Sequence, residues 1–273
     1  MRIVLVPALL VSLAAAGCAG GSDASGDGRT EVVAAFFPLA EAARVVGGPD
    51  VDVTDLTPPG VEPHELELTP DQVDRILDAD VAIVLGGGFQ PAVEDVADDR
   101  DGPTVVVLDA LELDTDDPHV WLDPTTMARI AEVVADALDG DATDFVAELE
   151  RLDGSYERAL ASCESDVVVS AHAAFGHLLG RYGLREESVS GLVPETEPDP
   201  ARLDELARLV EREAVTTVFS EPLLPPRVAD TLARETGAEI STLDPLESDP
   251  GTSYVEAMAG NLERLVEGLR CGA

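Results

Sequence analysis

The chain of 273 residues is long enough for one large or two moderate domains, and its 45% of apolar residues can form real cores, which excludes a disordered chain. It has 55 acidic against 17 basic residues, all of them arginine, and its formal net charge of -38 at pH 7 repels phosphate backbones and excludes nucleic acid as a partner. The same field attracts cations, although adaptation to a saline habitat would also explain it.

The first residues have the pattern of an export signal. A single arginine, Arg2, precedes an apolar run over 3–13 that is too short for a membrane-spanning helix and is interrupted by Pro7. Residues 15–18 resemble a bacterial lipobox, in which the cysteine is acylated. We therefore predict a signal peptide over 1–18 and a lipid anchor on Cys18 at the outer face of the cell membrane; ordinary signal cleavage is the alternative.

A flexible tether and a first block of alternating strands and helices follow. Residues 19–30 are rich in Gly, Ser and Asp and cannot bury apolar area. Apolar runs bounded by glycine, proline or charge indicate strands, and amphipathic runs with capping residues indicate helices. The predicted strands are 32–37, 51–56, 81–85 and 104–108, and the predicted helices include 39–46, 70–79 and 123–138.

A long helix separates this block from a second one. The helical pattern from about 142 to 162 is a candidate spine between domains. Beyond it we predict strands 167–170, 216–220 and 239–243, with helices 174–182, 199–213, 226–236 and 254–269. The sequence thus predicts an α/β fold of two parallel-sheet domains, 31–140 and 163–273, joined by a linking helix over 141–162.

Two cysteines remain after Cys18 is set aside. In an oxidising, exported setting, Cys163 and Cys271 are expected to form a disulfide rather than a metal or catalytic site. The alternative is a pair of buried, unpaired thiols.

Four side chains of the kinds that bind metals follow predicted strands. His64 and His119 lie in loops after two strands of the first block, His172 follows strand 167–170, and Asp244 follows strand 239–243. Ligands of open parallel sheets bind beyond the carboxyl ends of the strands. Three imidazoles and one carboxylate suit tetrahedral zinc, whereas manganese favours more oxygen donors.

Several separate motifs carry a family resemblance that extends from about residue 32 to the C-terminus. They are Glu-Pro-His at 62–64, Asp-Pro-His-Val-Trp-Leu-Asp-Pro at 117–124, Ser-Ala-His-Ala-Ala-Phe-Gly at 170–176, Phe-Ser-Glu-Pro at 219–222 and Leu-Asp-Pro-Leu at 243–246. In this order, they resemble the zinc and manganese solute-binding proteins of ABC importers.

The resemblance implies a metal site in the cleft between two domains, with His64, His119, His172 and Asp244 as ligands. Members that bind manganese typically have glutamate at the third ligand position, so His172 favours Zn²⁺ over Mn²⁺. The implied partners are a cognate ABC-transporter permease and, through the anchor, the membrane; we expect a monomer. His177 is not aligned with a ligand and is expected to lie at the surface.

Other assignments remain open at this stage. The same scaffold could be tuned to manganese or iron, or serve as a metal-scavenging surface adhesin. A zinc hydrolase has little support, because position 68 is a leucine where the helical zinc-protease motif that begins at His64 and Glu65 requires a second histidine. We therefore expect no enzyme. Glu65, Glu67 and Glu221 are candidates to orient the imidazole rings.

Overall fold

Two parallel four-stranded sheets, one in each half of the chain, form the framework of the computed structural model, which describes residues 28–194 and 199–272. The predicted signal peptide, Cys18 and most of the predicted tether lie outside the described residues. No helix in the described part of the chain is both long and apolar enough to span a membrane.

The first sheet has the strand order β2-β1-β3-β4, with all neighbouring strands parallel. Its third strand is apolar and buried throughout, as expected for a strand covered on both faces. The elements of this half are β1 Thr30–Ala34, α1 Phe37–Gly47, β2 Val51–Asp55, α2 Pro70–Asp78, β3 Val81–Val84, α3 Pro91–Asp98, β4 Thr104–Val106, α4 Val107–Ala110 and α5 Pro124–Leu138, with short 3-10 turns at Gly48–Asp50 and Val120–Leu122.

Helix α2 begins where the sequence predicts, because Thr69 and Gln72 form a reciprocal cap. The backbone N–H of Gln72 donates to Thr69 Oγ1 at 3.3 Å, and the N–H of Thr69 donates to Gln72 Oε1 at 2.9 Å. Strand β4 is shorter than predicted, since the chain turns into α4 at Val107.

A long helix, α6 (Thr143–Leu160), connects the halves. It buries an apolar stripe at helical spacing against α5 and against the last helix of the chain: Phe145, Leu149, Leu152, Tyr156 and Leu160. The sequence pattern thus predicts this helix to within two residues at each end.

The second sheet has the order β6-β5-β7-β8, again all parallel, which is the same relative order as in the first sheet. Strand β6 was absent from the sequence prediction because it reads Arg-Glu-Glu-Ser and lies at a sheet edge. The elements are β5 Val167–Ser170, α7 Gly176–Arg181, β6 Arg185–Ser188, α8 Pro200–Arg212, β7 Thr217–Ser220, α9 Arg227–Thr236, β8 Glu239–Thr242 and α10 Tyr254–Gly268.

One hydrophobic core extends through both halves, and two buried hydrogen bonds cross between them. The indole N–H of Trp121 donates to the carbonyl of Pro245 at 2.8 Å, and the hydroxyl of Tyr254 donates to the carbonyl of Trp121 at 2.5 Å. Both rings are fully buried. These bonds tie the segment before α5 to the loop between β8 and α10 and to the first residue of α10.

The predicted disulfide is present: Cys163 and Cys271 are joined with an S–S distance of 1.99 Å. It links the chain just beyond α6 to the chain just beyond α10. The bond therefore lies before the start of β5, away from the carboxyl ends of the strands.

Candidate metal centre

Three histidines and one glutamate converge between the two halves. They are His64, His119, His172 and Glu247, and one ligand atom from each lies within 4.8 Å of the others. The side chains of His119 and His172 are 0% exposed, that of Glu247 is 2% exposed and that of His64 is 5% exposed. The site is thus withdrawn from bulk water.

The distances between the donor atoms fit one small cation. Glu247 Oε1 lies 3.2 Å from the Nε2 atoms of His64 and His119 and 3.4 Å from that of His172, and the last two Nε2 atoms are 3.4 Å apart. A tetrahedral ion with bonds of about 2.0–2.1 Å separates its ligand atoms by about 3.3 Å. Four of the six distances between the atoms thus match the edges of such a tetrahedron, and all four atoms lie within 4.8 Å of one another.

The four side chains of the cluster come from four separate segments of the chain. His172 lies two residues beyond the end of β5, and His119 lies between Pro118 and the turn at Val120–Leu122. His64 lies in the long loop between β2 and α2, and Glu247 in the loop between β8 and α10.

The carboxylate that joins the cluster is Glu247, whereas Asp244, the predicted fourth ligand, lies outside it. Asp244 Oδ1 accepts a hydrogen bond from the backbone N–H of Leu246 at 2.8 Å, and its backbone N–H and carbonyl pair with Asn261. Leu246 has a left-handed backbone with φ 59°, which turns the chain and directs Glu247 inward. The first acidic residue after the strand thus shapes the loop, and the next one reaches the cluster.

Two further carboxylates orient two of the imidazole rings. Asp117 Oδ1 lies 2.8 Å from Nδ1 of His119, and Glu221 Oε2 forms a short hydrogen bond with Nδ1 of His172. A ring that donates from Nδ1 to a carboxylate keeps the lone pair of Nε2 for a metal. Glu221 was expected in this role from the sequence, whereas the role of Asp117 was missed.

The two other candidates for ring orientation do not take this role. Glu65 and Glu67 are exposed. The carboxylate beside His64 is instead Glu62, whose Oε1 accepts from the backbone N–H of His64 at 2.9 Å. His177 is partly exposed, and its Nε2 lies 3.0 Å from the carbonyl of Asp117, outside the cluster, as expected.

The charges of the cluster reinforce one another. Burial would raise the pKa of Glu247, but hydrogen bonds with the three imidazoles hold that pKa well below its usual range. Burial opposes charge on His172 too, yet Glu221 and Glu247 raise its pKa to about 10. Burial likewise acts against His119, whose pKa is raised by Asp117 and Glu247. The pocket therefore favours positive charge, which a divalent cation supplies.

Aromatic rings enclose the cluster on the side of the first half. Phe89 packs edge-on against His64, with ring centroids 4.5 Å apart, and contacts Phe36 and Trp121. Trp121 in turn lies 5.2 Å from the ring of His119. An apolar wall of this kind limits access of water and strengthens the electrostatic attraction inside the site.

Two α/β units with parallel sheets and a closed site of three imidazoles and one carboxylate between them define a two-domain protein that binds a metal ion. Comparison with known families agrees with this class. The model of the family described as "zinc-uptake complex component A, periplasmic" matches residues 32–268, and the chain belongs to this family.

Individual relatives show how far the likeness extends. The chain is 30% identical to the zinc-binding lipoprotein AdcA of Streptococcus pneumoniae over 97% of its own length and 60% of that protein. It is 29% identical to the high-affinity zinc uptake system protein ZnuA of Bacillus subtilis, over 92% of this chain and 90% of that one. A solved structure of the laminin-binding protein Lmb of Streptococcus agalactiae superposes with a TM-score of 0.82 at 30% identity, over 88% of this chain and 99% of that one. Lmb is described as a bifunctional protein with adhesin and metal transporting activity.

Proposed function

We propose that this protein captures Zn²⁺ outside the cytoplasm and delivers it to an ABC importer. The observation that carries the proposal is the buried set of His64, His119, His172 and Glu247, whose donor atoms are spaced for one tetrahedral ion. The matching family and the names of the curated relatives support zinc as the cargo. The chain spans about 60% of the length of the first of these relatives, so delivery by this chain is itself part of the proposal.

The donor set favours zinc over manganese or iron. Manganese prefers sites rich in oxygen and higher coordination numbers, whereas this cluster offers three imidazole nitrogens and one carboxylate. The ring-orienting carboxylates, Asp117 and Glu221, are committed to Nδ1 atoms and are not free to add oxygen ligands.

The same geometry argues against hydrolysis. A catalytic zinc site has three protein ligands and an open position for water. Here Glu247 takes the fourth corner, at 3.2–3.4 Å from each Nε2. A closed site suits capture and transfer of an ion rather than chemistry on a substrate.

The anchor and the partner complete the proposal. Cys18 in its lipobox would hold the protein at the outer face of the membrane, and the relative AdcA is named a lipoprotein. The importer permease is the partner implied by a component of an uptake complex. The similar protein Lmb, which is described as having adhesin activity, supports the adhesin alternative, and laminin capture by this chain is its test.

Competitive metal titration of the chain from Ala19 onward tests the function. We expect one Zn²⁺ per chain with much weaker binding of Mn²⁺, and a large loss of zinc affinity in His172→Ala because an anchored ligand is removed. Preference for Mn²⁺ would reassign the cargo, and zinc affinity indifferent to His172→Ala would remove the site from this cluster. Exported Cys18→Ala protein should be released from the membrane, which separates the anchor from simple signal cleavage.

A further inference from the structure

The four donors of the cluster are not held with equal firmness. The rings of His119 and His172 are each fixed through Nδ1 by a carboxylate, Asp117 or Glu221. Within residues 28–194 and 199–272, the structure gives Nδ1 of His64 no carboxylate partner. The ring of His64 is held from the side by Phe89, and its backbone N–H by Glu62. Rotation of this ring therefore breaks the fewest hydrogen bonds.

His64 is also carried by the longest loop among the four donors. Residues 56–69 connect β2 to α2 without a helix or strand. By contrast, a 3-10 turn directly follows His119, and His172 lies two residues beyond the end of a buried strand. A connection of this length within a compact domain usually has a role beyond linking two elements. The side chain of His64 is the most exposed of the four.

A cavity of about 210 Å³ reaches the cluster at this same side chain. Among the four cluster residues, His64 alone lines it. The first half contributes the glycines at 87 and 88 and the exposed Asp116, and the second half contributes Leu192 and Val193. Residues of both halves therefore line the cavity, and His64 connects it to the cluster.

We infer that the divalent cation enters and leaves through this cavity, and that His64 is the last ligand to bind it and the first to release it. The inference rests on the proposed function, since it assigns a path and an order to the same site. His119 and His172 form the fixed part of the site, and His64 turns on its loop to close it. Val193, whose side chain is 52% exposed, stands at the outer end of this path.

Narrowing the cavity tests the path without touching a ligand. In the full chain, Val193→Phe is compared with Val45→Phe, a matched substitution of a 44% exposed valine on α1 that does not line the cavity. Stopped-flow mixing with a chromophoric chelator gives both zinc rates. We expect Val193→Phe to slow association and dissociation together by about tenfold or more, with the Kd changed less than about threefold, because a gate alters rates in both directions equally.

Equal rates in the two valine variants would overturn the inference while leaving zinc capture intact; failure of the parent chain to bind zinc would instead overturn the proposed function. If Val193→Phe does not fold, Asp116→Asn is measured against Asp114→Asn, which removes an exposed charge outside the cavity. At low ionic strength, only Asp116→Asn should slow association, by about two- to fivefold. Equal slowing in both variants would contradict the path.

A separate measurement tests which of the three imidazole rings is mobile. In the zinc-free chain, NMR relaxation of the imidazole rings should show the ring of His64 rotating and the rings of His119 and His172 held fixed by their carboxylates. A ring of His64 that is as rigid as the other two would overturn its assignment as the mobile ligand.

Discussion

The choice between Glu247 and Asp244 as the fourth ligand is open to a direct test with an isosteric pair of variants. Glu247→Gln removes the charge from the atom that lies 3.2–3.4 Å from three Nε2 atoms. Asp244→Asn keeps an acceptor for the N–H of Leu246, the contact made by Asp244 Oδ1 at 2.8 Å. Only the first substitution should therefore reach the metal.

The expected loss of zinc affinity depends on whether the substituted carboxylate contacts the metal or only supports the loop. Replacing a group that only orients a metal ligand costs about 10- to 100-fold in affinity. Loss of a charged ligand should thus weaken zinc binding by at least about 100-fold, equivalent to about 2.7 kcal/mol. Asp244→Asn, which leaves the loop bonded, should change the affinity by less than about threefold.

The assay uses the single tryptophan of the chain. Trp121 lies with its ring 5.2 Å from that of His119, so its fluorescence reports occupancy of this site, and competition with a chelator extends the range to tight binding. Thermal unfolding of both zinc-free variants controls for folding. The reasoning is refuted if Asp244→Asn weakens zinc binding as much as Glu247→Gln does.

Three further predictions follow from described contacts. Glu221→Gln should weaken zinc binding by about 10- to 100-fold, because the ring of His172 loses its charged acceptor, whereas Glu65→Gln, at an exposed position, should leave the titration unchanged. Burial raises the pKa of Asp55 to about 6, so its protonated form stabilises the folded chain at low pH, and this stability is lost as the pH rises through about 4 to 6. Urea unfolding of the zinc-free chain should therefore show a fall of about 2–3 kcal/mol over this range. The fall should be absent in Asp55→Asn and retained in the exposed control Asp74→Asn. Replacing both Cys163 and Cys271 by alanine should lower the free energy of unfolding by about 2–4 kcal/mol, because the disulfide closes a loop with a sequence separation of 108. The zinc affinity should not change. A lower zinc affinity in this variant would contradict the placement of the disulfide away from the site.

The sequence predicts most of the framework because its signals are local. Buried parallel strands such as Val81–Val84 and Val167–Ser170 are short apolar runs between charges or glycines. Helix α2 begins at a capping box whose residue types, Thr and Gln, are recognisable in the sequence. Strand Arg185–Ser188 has no such signal: three of its four residues are charged, and its pairing with β5 alone makes it a strand. Edge strands of this kind are set by tertiary contacts that composition does not reveal.

The site shows the same division between local and tertiary information. The three histidines were predicted because imidazoles are chemically specific metal ligands and because the motifs that carry them resemble those of a metal-binding family. The carboxylate was placed three residues too early, because the backbone turn at Leu246 that aims Glu247 inward depends on its surroundings and not on its residue type. The pairing of Asp117 with His119 was missed for a related reason, since that acidic stretch is otherwise typical of a solvated loop.

The positions of the four donors along the chain make the bound ion a tie between the two halves. His64 and His119 precede α6, whereas His172 and Glu247 follow it. Metal–ligand bonds tolerate departures of only about 0.2 Å, so a relative displacement of the halves by a fraction of a side chain would loosen the ion. By thermodynamic reciprocity, a partner that prefers the displaced arrangement weakens the hold on zinc without contacting it, and zinc weakens the hold of that partner to the same degree.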